Sequence, residues 1–156
     1  MQSQIHTDGR RAMLVCVDSS EKGVWTGRYY NSSLKKGESF RSLVDFLMKM
    51  EKTLDQMYFP QSFSAVRRFT QEEETELIGA SNEECQTGKA ATFLIRILFR
   101  QNASWQGSVI WEESGREESF RSVLELPLLM DSAVLREQEK REKAGTCFSV
   151  LPCKTE

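Results

Sequence analysis

Two stretches of the chain place apolar residues at every second position, as β-strands with one buried face do. In AMLVCVD every second residue from Met13 to Val17 is apolar, and in TFLIRILFR the same holds from Phe93 to Phe99. A polar turn follows each stretch, and an aromatic and β-branched segment comes next, VWTGRYY or SWQGSVIW. The pattern therefore predicts two β-hairpins.

After each hairpin the apolar spacing changes to that of a helix. Apolar residues recur at i, i+3, i+4 and i+7 from Phe40 to Met57, and a similar stripe begins at Phe120. Ser39 and Ser119 stand directly before these stripes, and serine is a preferred N-cap residue. We therefore interpret both serines as N-caps of amphipathic helices.

The second helix carries a proline that the first lacks. Pro127 lies inside the second apolar stripe, where a missing backbone donor predicts a kink or a break. The charged segment LREQEKREKAG then predicts a solvated continuation of the helix up to Gly145. Between the two halves, 62–69 is interpreted as an extra strand and 71–78 as a short helical turn in an acidic loop.

The chain repeats itself at a spacing of 80 residues. Residues 13–50 align with 93–130 without a gap, and nine of the 38 positions are identical. Random pairing at ordinary composition gives roughly two identities over such a length. The longest shared run is ESFRS, at 38–42 and 118–122. The sequence thus predicts a duplicated unit.

A tryptophan followed two positions later by a glycine also recurs in this frame. Trp25 and Gly27 match Trp105 and Gly107. Large aromatic side chains contribute strongly to cores. We expect both tryptophans to pack in the core, with each glycine making room for a helix on the sheet.

The predicted fold is α+β and consists of two β-β-α units in a single domain, 1–156. Repeat 1 spans 12–57, repeat 2 spans 92–143, and 58–91 joins them. One unit is too small to cover both its helix and its sheet. We therefore expect a pseudo-twofold antiparallel sheet of four or more strands, with both helices on one face.

Composition places the chain among ordinary soluble domains. Its 156 residues are 39% hydrophobic and carry a net charge of −2. A general affinity for nucleic acid would normally require a basic excess. No apolar run approaches the roughly 18 residues of a membrane span, and no leader sequence is recognisable. The expectation is a cytoplasmic protein without a membrane segment.

The residues needed for metal binding and for common catalytic chemistry are sparse. The four cysteines are scattered and the single histidine is His6, so neither a metal site nor a cofactor is expected. One histidine near the terminus disfavours Ser-His or Cys-His nucleophile pairs. No glycine-rich phosphate loop occurs. The prediction is a protein that is not an enzyme.

The repeated phrase places an arginine at each predicted helix start. Arg41 and Arg121, with Ser42 and Ser122, would combine a cation with exposed helix N–H groups, an arrangement that suits a small anion or a nucleotide. The alternative is local: each arginine pairs with the glutamate three positions before it, or stacks on the hairpin tryptophan.

A second set of residues would suit single-stranded nucleic acid. Tyr29, Tyr30 and Trp111 occupy positions where the two halves differ, and we expect them on an exposed surface that stacks bases. Arg67 and Arg68 would add positive charge. The alternative is ordinary surface charge, because acidic runs accompany the basic pairs.

The phrase FRQNASWQG, followed by FRSVLEL and preceded by FPQSFSAVRRF, resembles small uncharacterised proteins of mobile genetic elements in Gram-positive gut bacteria. The likeness covers most of 57–135 and contains no catalytic motif. It implies a bacterial origin and a role in transfer, regulation or defence. It implies no functional residues.

The leading hypothesis is a non-enzymatic binding or accessory protein that acts by protein–protein contact. On a mobile element such a protein would be directed at a host factor. Binding of single-stranded nucleic acid and binding of an anion at the helix starts are the alternatives. The sequence names no partner and leaves the oligomeric state open.

Overall fold

The computed structural model describes residues 12–31, 34, 36–57, 60, 62, 69, 79–80 and 86–146. The elements are β1 Ala12–Ser19, β2 Thr26–Tyr30, β3 Gly37–Phe40, α1 Leu43–Met57, β4 Gly79–Ala80, β5 Ala91–Phe99, β6 Gln106–Trp111, β7 Arg116–Phe120 and α2 Glu125–Thr146. The strands form one antiparallel sheet in the order β4-β3-β2-β1-β5-β6-β7. The prediction of an α+β fold with two hairpins and two helices is confirmed.

Both helices pack on the same face of the sheet. Tyr29 in β2 lies opposite Val15, Val15 lies opposite Phe93, and Phe93 lies opposite Trp111. Cross-strand partners share a face. The Tyr29 ring meets Phe46 of α1 edge to face, and Phe93 and Trp111 line a cavity beneath α2. The apolar alternation of the strands therefore builds one core with the helices.

Each half contains a third strand that the sequence analysis did not predict. β3 ends at Phe40 and β7 at Phe120, so the first three residues of the repeated phrase are strand and not helix. Ser39 and Ser119 lie within these strands, and their interpretation as N-caps was wrong. Both phenylalanines are buried in the core, as the apolar spacing had indicated.

The start of each helix is instead held by the second serine of the phrase. Ser42 directly precedes α1, and Ser122 stands three positions before Glu125, the first residue of α2. The Ser42 hydroxyl accepts the backbone N–H of Asp45 at 3.0 Å, and the Ser122 hydroxyl accepts that of Glu125 at 3.2 Å. A serine followed three residues later by an acid is the spacing of a capping box. This spacing was present in the sequence at both places.

Pro127 neither kinks nor breaks the second helix, and that prediction was wrong. Because α2 begins at Glu125, Pro127 is its third residue and lies in the first turn. Backbone N–H groups in the first turn have no partner within the helix, so a proline there removes no hydrogen bond. The helix continues to Thr146, one residue beyond the predicted end at Gly145.

The strand pairing of the first half recurs 80 residues later. β2 and β3 pair Gly27 with Phe40, and β6 and β7 repeat this pair at the corresponding positions. A register shift near the end of β1 recurs near the end of β5, where Phe99 is exposed instead of buried as predicted. At the centre of the sheet, Leu14 lies opposite Leu94, its own counterpart.

The tryptophan–glycine pairs contribute to the core and to the close approach of neighbouring strands. Trp25 and Trp105 are buried, which confirms the expectation that they belong to the core. A Cβ atom at Gly27 or Gly107 would collide with a carbonyl oxygen of the adjacent strand. The glycines therefore make room for a neighbouring strand, and not for a helix as predicted.

Candidate functional site

The two arginines predicted at the helix starts lie far apart. Arg41 follows β3 and Arg121 follows β7, which are separated by five strand spacings. At about 4.8 Å a spacing, this separation is roughly 24 Å. Ser42 and Ser122, predicted with them, are the N-caps described above. The four residues therefore do not form one paired site.

Each helix start already carries a carboxylate from its own first turn. Asp45 accepts the backbone N–H of Arg41 at 3.0 Å, and Glu125 accepts that of Arg121 at 2.6 Å. The exposed Arg121 guanidinium also donates to Glu125, at 2.9 Å, and this hydrogen bond lowers the pKa of the Glu125 carboxyl. An added anion would compete with Glu125 for the same donors, so we do not propose anion binding here.

The aromatic residues assigned to nucleic acid are buried. Tyr29 lies beneath α1, where its hydroxyl and that of Thr53 are 2.9 Å apart, and burial raises the pKa of this phenol. Trp111 lies beneath α2. Tyr30 is on the opposite face, 6% exposed, and its hydroxyl accepts a hydrogen bond from Nε of Arg28 at 2.7 Å.

These three rings therefore do not form the predicted stacking surface. Successive strand residues point to opposite faces, which separates Tyr29 from Tyr30. The difference between the two halves at these positions does not reflect exposure, because burial follows the alternation of the strands. Arg67 and Arg68 lie outside the described residues.

The two edges of the sheet differ. At one edge β3 is paired with β4, so that Gly37 lies opposite Ala80 and Glu38 opposite Gly79. At the other edge β7 pairs with β6 and with no other described strand. The positions that match Gly37 and Glu38 are Glu117 and Glu118. An unpaired strand edge presents a row of free backbone N–H and C=O groups.

A groove runs between this open edge and α2, and we call it the β7–α2 groove. Its first part is a cavity of about 210 Å³ lined by Phe93, Val109, Trp111, Arg116, Glu118, Leu129, Ser132, Ala133 and Arg136. Its second part is lined by Ser119, Arg121, Glu125, Leu128 and Leu129. Leu129 belongs to both linings, so the two parts adjoin along the strand.

The first cavity has an apolar floor and a charged mouth. Among the described residues, none forms a hydrogen bond or an ion pair with the guanidinium of Arg116 or Arg136. Glu118 contributes a carboxylate to the same lining. Trp111 is 9% exposed, and its buried Nε1–H has no acceptor among the described residues. The ammonium of Lys140 lies 5.1 Å from the centre of the Trp111 ring.

Exposed leucines extend the second part of the groove. Leu128 is 61% exposed, and Leu124, one turn before it, is 66% exposed. The matching residues of the first half, Val44 and Met48, are also exposed on α1. Exposed apolar side chains that gather beside a groove mark interaction surfaces more often than single ones do.

A second cluster of charged side chains, centred on Arg100, links two elements of the fold. The side chain of Arg100 is 3% exposed and donates to the Pro60 carbonyl at 2.6 Å, to Glu51 at 2.9 Å and to Asp55 at 2.7 Å. Trp105 Nε1–H donates to the second Glu51 oxygen at 2.5 Å. Two carboxylates pair with this arginine, so the cluster joins α1 to the residue after β5 and leaves no unpaired cation for an anionic ligand.

Neither a metal site nor a membrane span is found in the part of the chain that the structure describes. There, no group of three or more His, Cys, Asp or Glu side chains could hold a metal ion. None of the helices in those ranges is long and apolar enough to cross a membrane. Cys16 is the one cysteine among the described residues; it is buried and is not part of a disulfide there.

The fold and the groove define an α+β protein whose antiparallel sheet ends at one edge in the two-residue strand β4 and at the other in β7, which pairs with no further described strand. Comparisons with protein-family models, with curated proteins and with solved structures found no match for this chain. The resemblance to proteins of mobile genetic elements is not tested by these findings and stays a prediction.

Proposed function

We propose that the protein is a non-enzymatic binding protein that accepts an extended segment of a partner protein along the open edge of β7. The observation that carries the proposal is the difference between the two edges. The β3 edge takes β4 from the same chain, whereas the matching positions in β7, Glu117 and Glu118, have no described partner strand.

An extended peptide fits this edge better than a helix does. A strand added beside β7 would pair its backbone with the free N–H and C=O groups, as in other complexes formed by strand addition. Alternate side chains of that strand would face α2. The apolar floor of the first cavity and the exposed Leu128 offer two places for them.

The groove supports binding more than chemistry. Its lining combines apolar side chains with arginines and the carboxylates Glu118 and Glu125. Glu125 is held by Arg121 at 2.9 Å. Apolar walls with a few convergent polar groups are typical of recognition sites.

We also infer that the chain is a duplicated unit with pseudo-twofold symmetry, each unit being β-β-β-α. The recurrence of the strand registers 80 residues apart supports this inference, as does the pairing of Leu14 with its counterpart Leu94. In such a molecule the two sheet edges are equivalent. The strand β4 at one edge is then a precedent for a strand at the other.

Selection from a library of random decapeptides on the immobilised full-length chain tests the proposal. Ser132 is exposed and lines the first cavity, so Ser132→Trp should fill the mouth without disturbing the core. Arg141→Trp places the same bulky ring on the other side of α2 and serves as the control. We expect the wild type and Arg141→Trp to enrich the same peptides and Ser132→Trp to enrich none of them.

Methylation of the backbone nitrogens distinguishes strand addition from other modes of binding. N-methyl groups at every second residue of an enriched peptide remove the donors that face β7, and we expect binding to be lost in only one of the two methylation phases. The proposal fails if the wild type enriches no peptide, or if Ser132→Trp enriches the same ones. It also fails if sedimentation shows that a second copy of the chain occupies the edge.

A further inference from the structure

We infer that the first cavity of the β7–α2 groove receives the C-terminal residue of the partner, with an apolar side chain on the cavity floor and the terminal carboxylate between Arg116 and Arg136. The inference rests on the proposed function, because it specifies which part of a partner enters the groove. It follows from the size of the cavity, its charges and the direction of the strands.

The cavity suits one side chain. Its volume of about 210 Å³ lies below the roughly 300–1,000 Å³ typical of small-molecule sites. Phe93, Val109 and Ala133 form an apolar floor and are all buried. A single apolar side chain can fill such a space and exclude water from it.

The two arginines at the mouth of the cavity favour the binding of an anion there. Arg116 belongs to β7 and Arg136 to α2, so they line the same cavity from its two walls. Neither guanidinium has a described partner. Guanidinium groups bind carboxylates with two parallel hydrogen bonds, which gives both strength and direction. A ligand that places one carboxylate at the mouth would serve both arginines.

Strand geometry favours a terminal carboxylate over an acidic side chain. In an extended peptide, the neighbours of the residue in the cavity point to the other face of the sheet. The residue two positions earlier in the peptide points to the same face, but there an acid would be repelled by Glu118, which lines the same cavity. Only at the end of a chain do an apolar side chain and a carboxylate share one Cα atom.

The direction of the sheet places that chain end correctly. All named strands pair antiparallel, and β4 runs antiparallel to β3 at the opposite end of the sheet from β7. A strand that runs antiparallel to β7 ends beside Arg116, the first residue of β7. Its preceding residues then pass Glu118 and reach Leu128 in the second part of the groove.

Two display libraries test the inference. In one, a random octapeptide ends the displayed chain and has a free carboxylate, and in the other the same octapeptide is followed by carrier protein. We expect enrichment from the first library alone, with an apolar last residue. Enriched peptides are then synthesised as free acids and as C-terminal amides, and their dissociation constants are measured by fluorescence anisotropy on the full-length chain.

Amidation should weaken binding by about tenfold or more, because a charge-assisted hydrogen bond is stronger than a neutral one. Arg116→Gln and Arg136→Gln should weaken binding of the acid and leave that of the amide unchanged. Glu118→Gln should tighten binding of the acid. Arg141→Gln, which removes the same charge on the other side of α2, should change neither and controls for long-range electrostatics.

The two ways of failing are distinct. If acid and amide bind equally, and Ser132→Trp still blocks both, the groove binds peptides but the terminal carboxylate is not recognised, and this inference is wrong. If neither library yields a binder to the folded wild type, the proposed function is wrong as well. Arg116 and Arg136 are exposed, so their variants are expected to fold, and circular dichroism checks this.

Discussion

The same residue in the same position of the two halves meets two environments. Glu38 is 6% exposed and its Oε2 has no hydrogen-bond partner among the described residues, whereas its counterpart Glu118 is exposed. Burial raises the pKa of the Glu38 carboxyl, although Lys49 and Lys52 act in the opposite direction.

Glu38→Gln should stabilise the protein at neutral pH. A carboxyl whose folded-state pKa is raised above its unfolded value of about 4.3 contributes most to stability below that value, and the contribution is lost as the pH rises through the folded-state pKa. Glutamine stays neutral throughout. Thermal melts at pH 7 should show an increase of roughly 2–4 °C, the shift that about 1 kcal/mol produces in a domain of this size.

The difference between Glu38→Gln and the wild type should shrink as the pH is lowered toward 4, because the glutamate is then protonated as well. Glu118→Gln, the matched change at the open edge, should leave the melting temperature unchanged at both pH values. An equal effect of the two substitutions would contradict the assigned role of burial.

At one position with a positive φ angle, the turn of the first hairpin carries a glycine and the turn of the second carries an alanine. Ala103 has φ +52° where the first half has Gly23 at φ +74°. A side chain in this left-handed region costs roughly 1–2 kcal/mol. Ala103→Gly should therefore raise the free energy of unfolding by up to about 1 kcal/mol, since glycine relieves the strain but adds freedom to the unfolded chain.

Gly23→Ala is the converse change and should lower the free energy of unfolding by about 1 kcal/mol. A Cβ atom at Gly23 would meet nothing within 4 Å, so its effect reports backbone conformation alone. Urea denaturation of both variants measures the two values. Changes of the same sign would refute this account.

At the scale of elements, the structure assigns the helix caps to Ser42 and Ser122, and not to Ser39 and Ser119. Ser122→Ala should lower the free energy of unfolding by about 1 kcal/mol, because it removes the acceptor for the Glu125 N–H. Ser119→Ala, at the position first assigned as the cap, lies on an exposed edge strand and should cost much less. Chemical denaturation of the two variants side by side decides between the assignments.

The hairpins and helices could be predicted, but the third strands could not: β3, GESF, is mostly buried but has one large apolar side chain and shows no alternation, and β7 was missed for a different physical reason. β7 reads REESF, and four of its five residues are exposed. Edge strands often carry charged residues, which lower their tendency to aggregate and also remove the apolar alternation by which strands are recognised. Once the strand was missed, the helix start moved to Ser119, and Pro127 fell in the predicted helix interior.

At the scale of the whole molecule, the centre of the sheet is shared by the two halves. β1 pairs with β5 over Ala12 to Val17, and both helices cover the core on one side. A half-chain of residues 1–60 would keep β2 but lose β5, the other partner of β1, and would expose one edge of this strand of eight residues. We expect this fragment to dimerise through β1 or to remain unfolded.

Size-exclusion chromatography with light scattering, combined with a thermal melt, measures both outcomes for the half-chain. A monomer with a cooperative transition would show that each half folds independently, contrary to the shared core. The full-length chain under the same conditions is the reference for both measurements.

The candidate site was only partly accessible to sequence analysis. Arg121 was singled out and does line the second part of the groove, but beside Glu125 and far from Arg41. Arg116 and Arg136 are 20 positions apart in the sequence and become neighbours only because α2 folds back along β7. No local pattern brings such residues together, since their proximity depends on the third strand.

The short strand β4 also bears on how large an assembly can grow. A sheet with two open, equivalent edges can add copy after copy in one direction and form a filament, because a head-to-tail contact need not close on itself. With Gly79 and Ala80 paired along β3, the described sheet ends there in a strand of two residues, which offers few backbone groups for further pairing. Two molecules that met through β7 would leave only these short strands at the outer edges of the described sheet, so growth beyond a pair would be disfavoured.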